Sequence, residues 1–459
     1  MVRMVPDPGW SSRIRCGRTH PTFEERIPMT VTRFAVIAAG LVAFAASTVH
    51  AQAWQPTQYQ DTYINHGYFS GTTGILDVGS DCVLLRSGNT RFYIYRLQQD
   101  ETWAREAEIL PIQPGSNFGF RGSIDGDVAV ITAPDWVDDE GVERGRAYAY
   151  ERDPKTSTWS LVHAFDPLEI DEQEAGIAGF NFGSSVSLEG DLVAISDSRA
   201  MSDLGYVRFF VRNGPGSWEP SDSYYGLAEG DRFGTSIDIH QGAEGVCAIG
   251  SSQLNVPDET GTIEFFVRDA SLGWLPQPGL LEGPGEFGWP SDIDIHGGRM
   301  AVSATNQYGL PGIVEIWEGG IDDWSRRTTL IGGGEGKGGF GTRVQLWNTK
   351  LLVTQWFTMG LPSDGAALLY ERNLEGEWRQ DRRFNGALDF PSNAGCTAGM
   401  VGDHVLVCAT GNGVYDHKRE VFDHPPDEPT SPCQADVNGD GVVDAGDLGL
   451  LIAAWGMCP

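Results

Sequence analysis

Between residues 65 and 423 the chain alternates apolar and polar positions in short runs, each closed by Gly, Asp, Asn or Pro. One stretch shows the grammar. Ser184-Ser185-Val186-Ser187-Leu188 alternates, Gly190-Asp191 turns, and Leu192–Ser196 is apolar throughout. After a polar loop, Tyr206–Arg212 alternates again and a further turn leads to Trp218. Period-two alternation places one face of a strand in a core, and an unbroken apolar run fits a strand covered on both faces. Each stretch therefore predicts four short antiparallel strands joined by hairpin turns.

The same grammar recurs about every 50 residues, a spacing that belongs to stacked repeats. A Phe-Gly pair opens the unit at Phe118-Gly119, Phe182-Gly183, Phe233-Gly234, Phe287-Gly288 and Phe340-Gly341. Third strands ending in Arg run Ala147–Arg152, Tyr206–Arg212, Ile263–Arg268 and Ala367–Arg372. A tryptophan closes each unit: Trp103, Trp159, Trp218, Trp274, Trp324 and Trp378. This pattern predicts an all-β fold, a seven-bladed β-propeller of four-stranded antiparallel blades, with each Trp filling the wedge between two blades. The first unit is degenerate, with Phe69-Ser70-Gly71 in place of the pair. The last, Gly395 to Phe422, holds three strands and no tryptophan. The segment Trp54–Asp61 supplies the missing outer strand, and its pairing with the last unit would close the ring and remove two exposed edges.

Composition then fixes the setting. The 459 residues are 40% hydrophobic, and their 60 glycines and 25 prolines are spread as turn punctuation. Arg33 followed by the apolar stretch Phe34–Ala46, and small residues in Val49-His50-Ala51 or Ala51-Gln52-Ala53, read as a signal peptide. That run is too short to span a bilayer comfortably, so no integral membrane span is expected. Segment 1–28 fits neither signal nor domain, and a start at Met29 suits the leader. The divisions are therefore 1–28, a signal peptide at 29–53, a propeller at 54–423, a linker at 424–432 and a terminal module at 433–459. Removing the six Lys/Arg and three Asp/Glu of residues 1–53 takes the net charge from −31 to −34. Such a surface repels nucleic acid and suits an extracellular protein, secreted or attached at a cell surface.

These units resemble the FG-GAP repeats of integrin α-subunit propellers and of many bacterial surface proteins. In calcium-binding members a DxDxDG loop lies between the first two strands. Here the slot holds short turns such as Asp125-Gly126-Asp127 and Glu189-Gly190-Asp191, too few oxygens for a divalent ion, so no calcium is expected in the blades. The chain has no GxSxG or HExxH motif. Asp238-Ile239-His240 and Asp294-Ile295-His296 look like a repeated dyad, but their shared blade position reads as turn residues of sister repeats. Asp269–Trp274 is a partial echo of a sialidase Asp box. The loops between second and third strands, among them Pro134–Gly145 and Asp197–Gly205, carry Trp136, Tyr308, Trp356 and Phe357. These aromatics either form a binding face or pack locally. Cys396 and Cys408 flank one turn, as a disulfide or as two buried thiols, while the pairing of Cys82 and Cys247 stays open.

Past the linker, Asp436, Asn438, Asp440, Asp444 and Asp447 place oxygens at positions 1, 3, 5, 9 and 12 of a calcium loop. Gly441 sits at position 6, and the Val442 carbonyl is at position 7. Leu448, Leu451, Ile452 and Trp455 follow at helical spacing. The segment resembles half of a type I dockerin, a family that implies a cohesin-like or cell-surface partner. So small a calcium loop–helix module needs a staple, and Cys433 with Cys458 bracket it for a disulfide. The expected function is a secreted non-catalytic binding or scaffold protein, with a protein or carbohydrate ligand on the propeller face and calcium in the tag. The alternative is an extracellular polysaccharide-acting enzyme, a glycoside hydrolase or lyase, or its accessory subunit.

Overall fold

The computed structural model describes residues 59–419, apart from 65–72, 88–90, 169–180, 242–244, 253–260, 285–287, 306–310, 321–322, 333–338, 356–365, 386–393 and 410–412. The leader, the linker, the calcium loop and Cys433 and Cys458 lie outside the described residues, as do Phe69, Tyr308, Trp356 and Phe357.

The molecule is an all-β propeller of four-stranded antiparallel blades. Strand β1 is Tyr59–Ile64. The first blade holds β2 (Thr73–Val78), β3 (Cys82–Ser87), β4 (Arg91–Leu97) and β5 (Trp103–Ile109). The second holds β6 (Gly122–Asp125), β7 (Val128–Ala133), β8 (Arg146–Asp153) and β9 (Thr158–Phe165). In the third, β10 (Ser185–Glu189) and β11 (Leu192–Asp197) are followed by a short turn α1 (Ala200–Asp203), then β12 (Tyr206–Arg212) and β13 (Trp218–Tyr225). The fourth has β14 (Phe233–His240), β15 (Val246–Ser251), β16 (Thr262–Asp269) and β17 (Gly273–Pro276), with β18 (Leu281–Glu282) also on β16. The fifth is β19 (Ile293–His296), β20 (Arg299–Ala304), β21 (Ile313–Glu318) and β22 (Ser325–Ile331). The sixth is β23 (Phe340–Trp347), β24 (Lys350–Gln355), β25 (Ala366–Arg372) and β26 (Trp378–Asn385). Each of the six runs inner to outer in chain order.

A further sheet mixes the two ends of the described chain. It joins β1 to β27 (Ala394–Val401), β28 (His404–Ala409) and β29 (Gly413–Arg419) in the order β1-β29-β28-β27. The outer strand thus comes from residues 59–64, a few positions beyond the expected Trp54–Asp61, with Tyr59 opposite Arg419 and Ile64 opposite Val414. Its inner strand β27 touches both β23 and β2, so the inner strands make contact all the way round.

Burial explains the alternation in the sequence. All six residues of β7 and all six of β11 are buried, because a second strand is covered on both faces by its neighbours. The outer strands β9 and β13 keep exposed positions. The Phe-Gly pairs dock one blade on the next. Phe118, Phe182, Phe233 and Phe340 are buried, and the glycine after each takes a positive φ that side chains avoid. That glycine also meets the preceding blade closely: a Cβ on Gly234 would lie 2.5 Å from Ser196 Cβ, and one on Gly341 2.9 Å from Ser303 Cβ.

The fifth blade breaks this rule and corrects one expectation. There Trp289 fills the aromatic slot: it is 1% exposed, and its backbone abuts Gly261 as that of Phe340 abuts Gly312, while Phe287 lies outside the described residues. Pro290 then stands where the other blades have glycine. Its ring lies against Gly250, which occupies the position of Ser196 and Ser303 in the neighbouring strands. The bulk lost at 250 makes room for the bulk gained at 290.

At the rim, the turn Asp, the third-strand Arg and the closing Trp form a clamp. Arg212 Nη2 meets Glu151 Oε2 of the preceding blade at 2.9 Å, and Trp218 Nε1 donates to Glu151 Oε1 at 3.3 Å. Arg152 Nη2 and Trp159 Nε1 hold Glu106 in the same way, at 2.9 and 3.1 Å. The turn residues Asp127 and Asp191 contact Arg152 and Arg212 at 3.5 and 3.4 Å. The tryptophans wedge between blades as expected: Trp218 packs on Phe165 with ring centroids 5.5 Å apart, and Trp274 stacks on Phe209 at 4.9 Å. Cys82, Cys247 and Cys408 are buried.

Candidate functional site: the axial cavity

The inner strands surround a cavity of about 470 Å³ lined by residues of β2, β6, β10, β14, β19, β23 and β27. Alternation puts every second residue of an inner strand toward this axis, giving three tiers.

The middle tier is a belt of hydrogen bonds in which a side chain of one inner strand reaches a backbone N–H of the next. Asp77 Oδ2 accepts from Ile124 N at 2.9 Å and from Ser123 Oγ at 2.8 Å. Ser123 Oγ accepts from Leu188 N at 3.2 Å, and Ser187 Oγ from Ile239 N at 3.0 Å. Asp238 Oδ2 accepts from Ile295 N at 2.7 Å, and Asp294 Oδ2 from Leu346 N at 2.6 Å. Gln345 binds both the N–H and the carbonyl of Met400, at 2.6 and 3.1 Å. In β27 the next position is Gly399, crowded by Val78, so Thr397 two residues earlier completes the belt by accepting from Ile75 N at 2.6 Å. The chain spends a polar residue at each joint because a buried N–H without a partner costs free energy.

Burial pushes the carboxyls of Asp77, Asp238 and Asp294 above the usual range, and for Asp238 the nearby Asp294 adds to this. Part of each side chain is still open to the cavity.

The tier at the tight-turn end holds Asp125, Glu189, His240, His296 and Trp347. Asp125 Oδ2 accepts from Gly190 N at 2.8 Å, Glu189 from Gln241 N, and His240 Nε2 from Gly297 N at 3.3 Å. Burial, then repulsion from Asp125, pushes the Glu189 carboxyl up to about 7. Burial and neighbouring His296 depress His240. The rings of His240, His296 and Trp347 form a row, with centroids 5.5 and 5.1 Å apart. Both histidines stand at the ends of inner strands in sister blades, in keeping with the reading as turn residues. The Asp-box echo is likewise a turn: Asp269 Oδ1 accepts from Ser271 N at 2.8 Å and Leu272 N at 2.9 Å.

The tier at the long-loop end includes Asp292 and Arg343. Outside that tier, Arg121 N donates to Thr132 Oγ1 at 3.0 Å as Arg343 N donates to Thr354 Oγ1 at 2.9 Å, so the two arginines are backbone equivalents in sister blades. In the described loop Pro134–Gly145, Trp136 is half-buried and Arg146 lies over its ring at 3.7 Å, which favours local packing for that aromatic. Among the described residues no group of three or more His, Cys, Asp or Glu is placed to hold a metal ion.

Sequence reading named Asp238 and Asp294 beside the histidines and Asp125 and Glu189 as turn residues, but missed Asp77, Asp292, Gln345 and Arg343 on the same axis. Their signal was position along each inner strand, within motifs that otherwise read as strand filler. A scan against protein-family models finds no match, and a search of curated proteins finds none either. Solved structures similar to this chain include a putative 6-phosphogluconolactonase from Bacteroides uniformis, 12% identical over 69% of this chain and 84% of that one, with a TM-score of 0.46. Another is Saccharomyces cerevisiae Sqt1, 10% identical over 80% of this chain and 100% of that one, with a TM-score of 0.40.

Proposed function

We propose that this chain is a secreted, non-catalytic binding or scaffold protein. In this reading the terminal sheet is the seventh blade of an FG-GAP-like ring, the long-loop face meets a protein or carbohydrate ligand, and the dockerin-like tail uses calcium for attachment. The observation that supports it most is the use made of the axial side chains. Asp77, Ser123, Ser187, Asp238, Asp294 and Gln345 each hold the backbone of the next blade, so these polar groups of the axial cavity serve the ring. A catalytic acid or base needs a proton free to move to substrate.

The enzyme reading has one point in its favour: Glu189, raised to about 7 beside Asp125, has the protonation behaviour of a general acid. Incubating the mature protein with a panel of polysaccharides, and measuring both retention and new reducing ends, tests the two together. Retention without product is expected; product that disappears in Glu189→Gln would replace the binding reading with the glycosidase one. Calcium titration of the full chain against Asp436→Ala tests the tail, with heat of binding expected only for the unaltered chain.

A further inference from the structure

We propose that the tight-turn mouth of the axial cavity binds a primary alkylammonium group, its aliphatic stem against His296 and Trp347 and its charge met by Asp125 and Glu189. This mouth lies on the face opposite the long loops, so the proposal goes beyond the binding reading above.

The five side chains of this tier fall into two sets. Asp125, Glu189 and His240 each accept an N–H from the sister turn of the next blade, at Gly190, Gln241 and Gly297. His296 and Trp347 do not. At their joints the link passes to the residue three positions on. Arg299 Nη1 donates to the Asn348 carbonyl at 2.8 Å, and Lys350 Nζ meets Asp403 Oδ1 at 2.8 Å. Among the described residues the side chains of His296 and Trp347 make no hydrogen bond, and both line the cavity half-buried. The joints need neither, yet the chain sets an imidazole and an indole side by side at the mouth, with centroids 5.1 Å apart.

Across the mouth, charge is left unbalanced. The rim carboxylates Glu106 and Glu151 are each clamped by arginine, but among the described residues Asp125 and Glu189 meet neither arginine nor lysine. Their nearest base is His240, whose Nδ1 is 3.7 Å from Glu189 Oε1. Its Nε2 accepts from Gly297 N, so that ring is neutral. Each carboxylate gives one oxygen to a backbone N–H and keeps the other. An ammonium with three N–H donors fits two such oxygens, aromatic faces attract its charge, and they cover its methylenes. Gly79, Ser80 and Gly402 complete the mouth with small residues, and about 470 Å³ of cavity lies behind it. Burial, then Asp125, raises the Glu189 carboxyl to about 7, with the raised Asp238 and Asp294 below it. A bound cation favours the ionised form, so binding at pH ~7 should release protons.

The test is calorimetry on the full mature chain at fixed ionic strength. The probe is n-pentylamine, with 1-pentanol as its neutral match and tetramethylammonium as a cation without N–H donors. Pentylamine should bind at millimolar concentration or below, about tenfold or more tightly than either match. Glu189→Gln keeps an acceptor for Gln241 N and should weaken the amine about tenfold. Trp347→Leu should weaken it about threefold to tenfold. Trp347 also packs on the hydrophobic cluster that includes Leu352 and Met400, so His296→Ala, which gives up no hydrogen bond, is measured beside it with the same expectation. Heats in phosphate and in MOPS at pH ~7 should differ by the protons released, and the difference should vanish in Glu189→Gln. Pentanol bound as tightly as the amine would mean an apolar cleft and no cation site. Tetramethylammonium bound as tightly would refute the primary-ammonium assignment. No binding of pentylamine at millimolar concentration, or equal affinity in Glu189→Gln, would overturn the site. Full affinity in His296→Ala and in a stably folded Trp347→Leu would remove the two rings from it.

Discussion

Neighbouring blades meet twice, once at the axis and once toward the rim, and the two joints are built from opposite materials. At the axis a polar side chain reaches one or two backbone groups of the next strand, as Asp238 does with Ile295. Farther out, aromatic rings bury themselves between sheets and a carboxylate is clamped by Arg and Trp, as Phe233, Trp218 and Glu151 show. The difference teaches where stability resides. A hydrogen bond contributes about 1 kcal/mol net, whereas a buried aromatic contributes several times that. The axial belt sets register and angle; the apolar wedges supply most of the free energy.

The largest effect tests closure. Deleting residues 54–62 removes most of β1 and leaves β29 as a bare edge, so the melting temperature should fall by roughly 10 °C or more in calorimetry. An unchanged value would show that the terminal sheet does not secure the ring. Next, Phe233→Ala empties a fully buried slot and should cost about 3–5 kcal/mol in chemical unfolding. Glu151→Ala strands Arg212 and the Trp218 indole at the rim; a loss of about 3 kcal/mol is expected, far above that of any single belt residue. If Ser187→Ala cost as much, the contrast between axis and rim would collapse.

A smaller effect probes the exchanged pair in the fifth blade. Gly250→Ser should cost about 1–3 kcal/mol by driving a side chain into Pro290, and Pro290→Gly in the same chain should recover part of it. Additive losses in a double-mutant cycle would show that the two positions are independent.

Much of the rim was legible in the sequence because its parts are conspicuous and recur at fixed places: the turn Asp127 and Asp191, the strand-ending Arg152 and Arg212, the closing Trp159 and Trp218. The axis was not. Its joints use Asp, Ser, Gln or Thr, residues alike only in reaching an N–H, and Gly399 shifts the link to Thr397. In the fifth blade only packing reveals that Trp289 fills the aromatic slot, since a tryptophan two residues past a Phe-Gly pair reads like strand filler.

The raised axial carboxyls give the ring a definite pH dependence. Asp238 and Asp294 are raised, and Glu189 is raised to about 7, so the folded chain keeps protons that the unfolded chain has released above pH ~4. Their stabilisation is complete below the unfolded values and is lost as pH rises through the folded ones. His240, depressed, acts in the opposite sense below its ordinary range, and the lowered Glu106 and Glu151 remove stability in stronger acid. Stability should therefore peak near pH ~5 and decline toward pH ~8. The most direct measurement is the melting temperature of Asp238→Asn at those two pH values, because asparagine keeps an acceptor for Ile295 N and carries no charge. A small gain over the unaltered chain is expected at the acid value and a clearly larger one at the alkaline value, where more of the raised carboxyl's stabilisation has been lost. A variant that melts lower at both would contradict it, since the ionised carboxylate would then be what the ring requires.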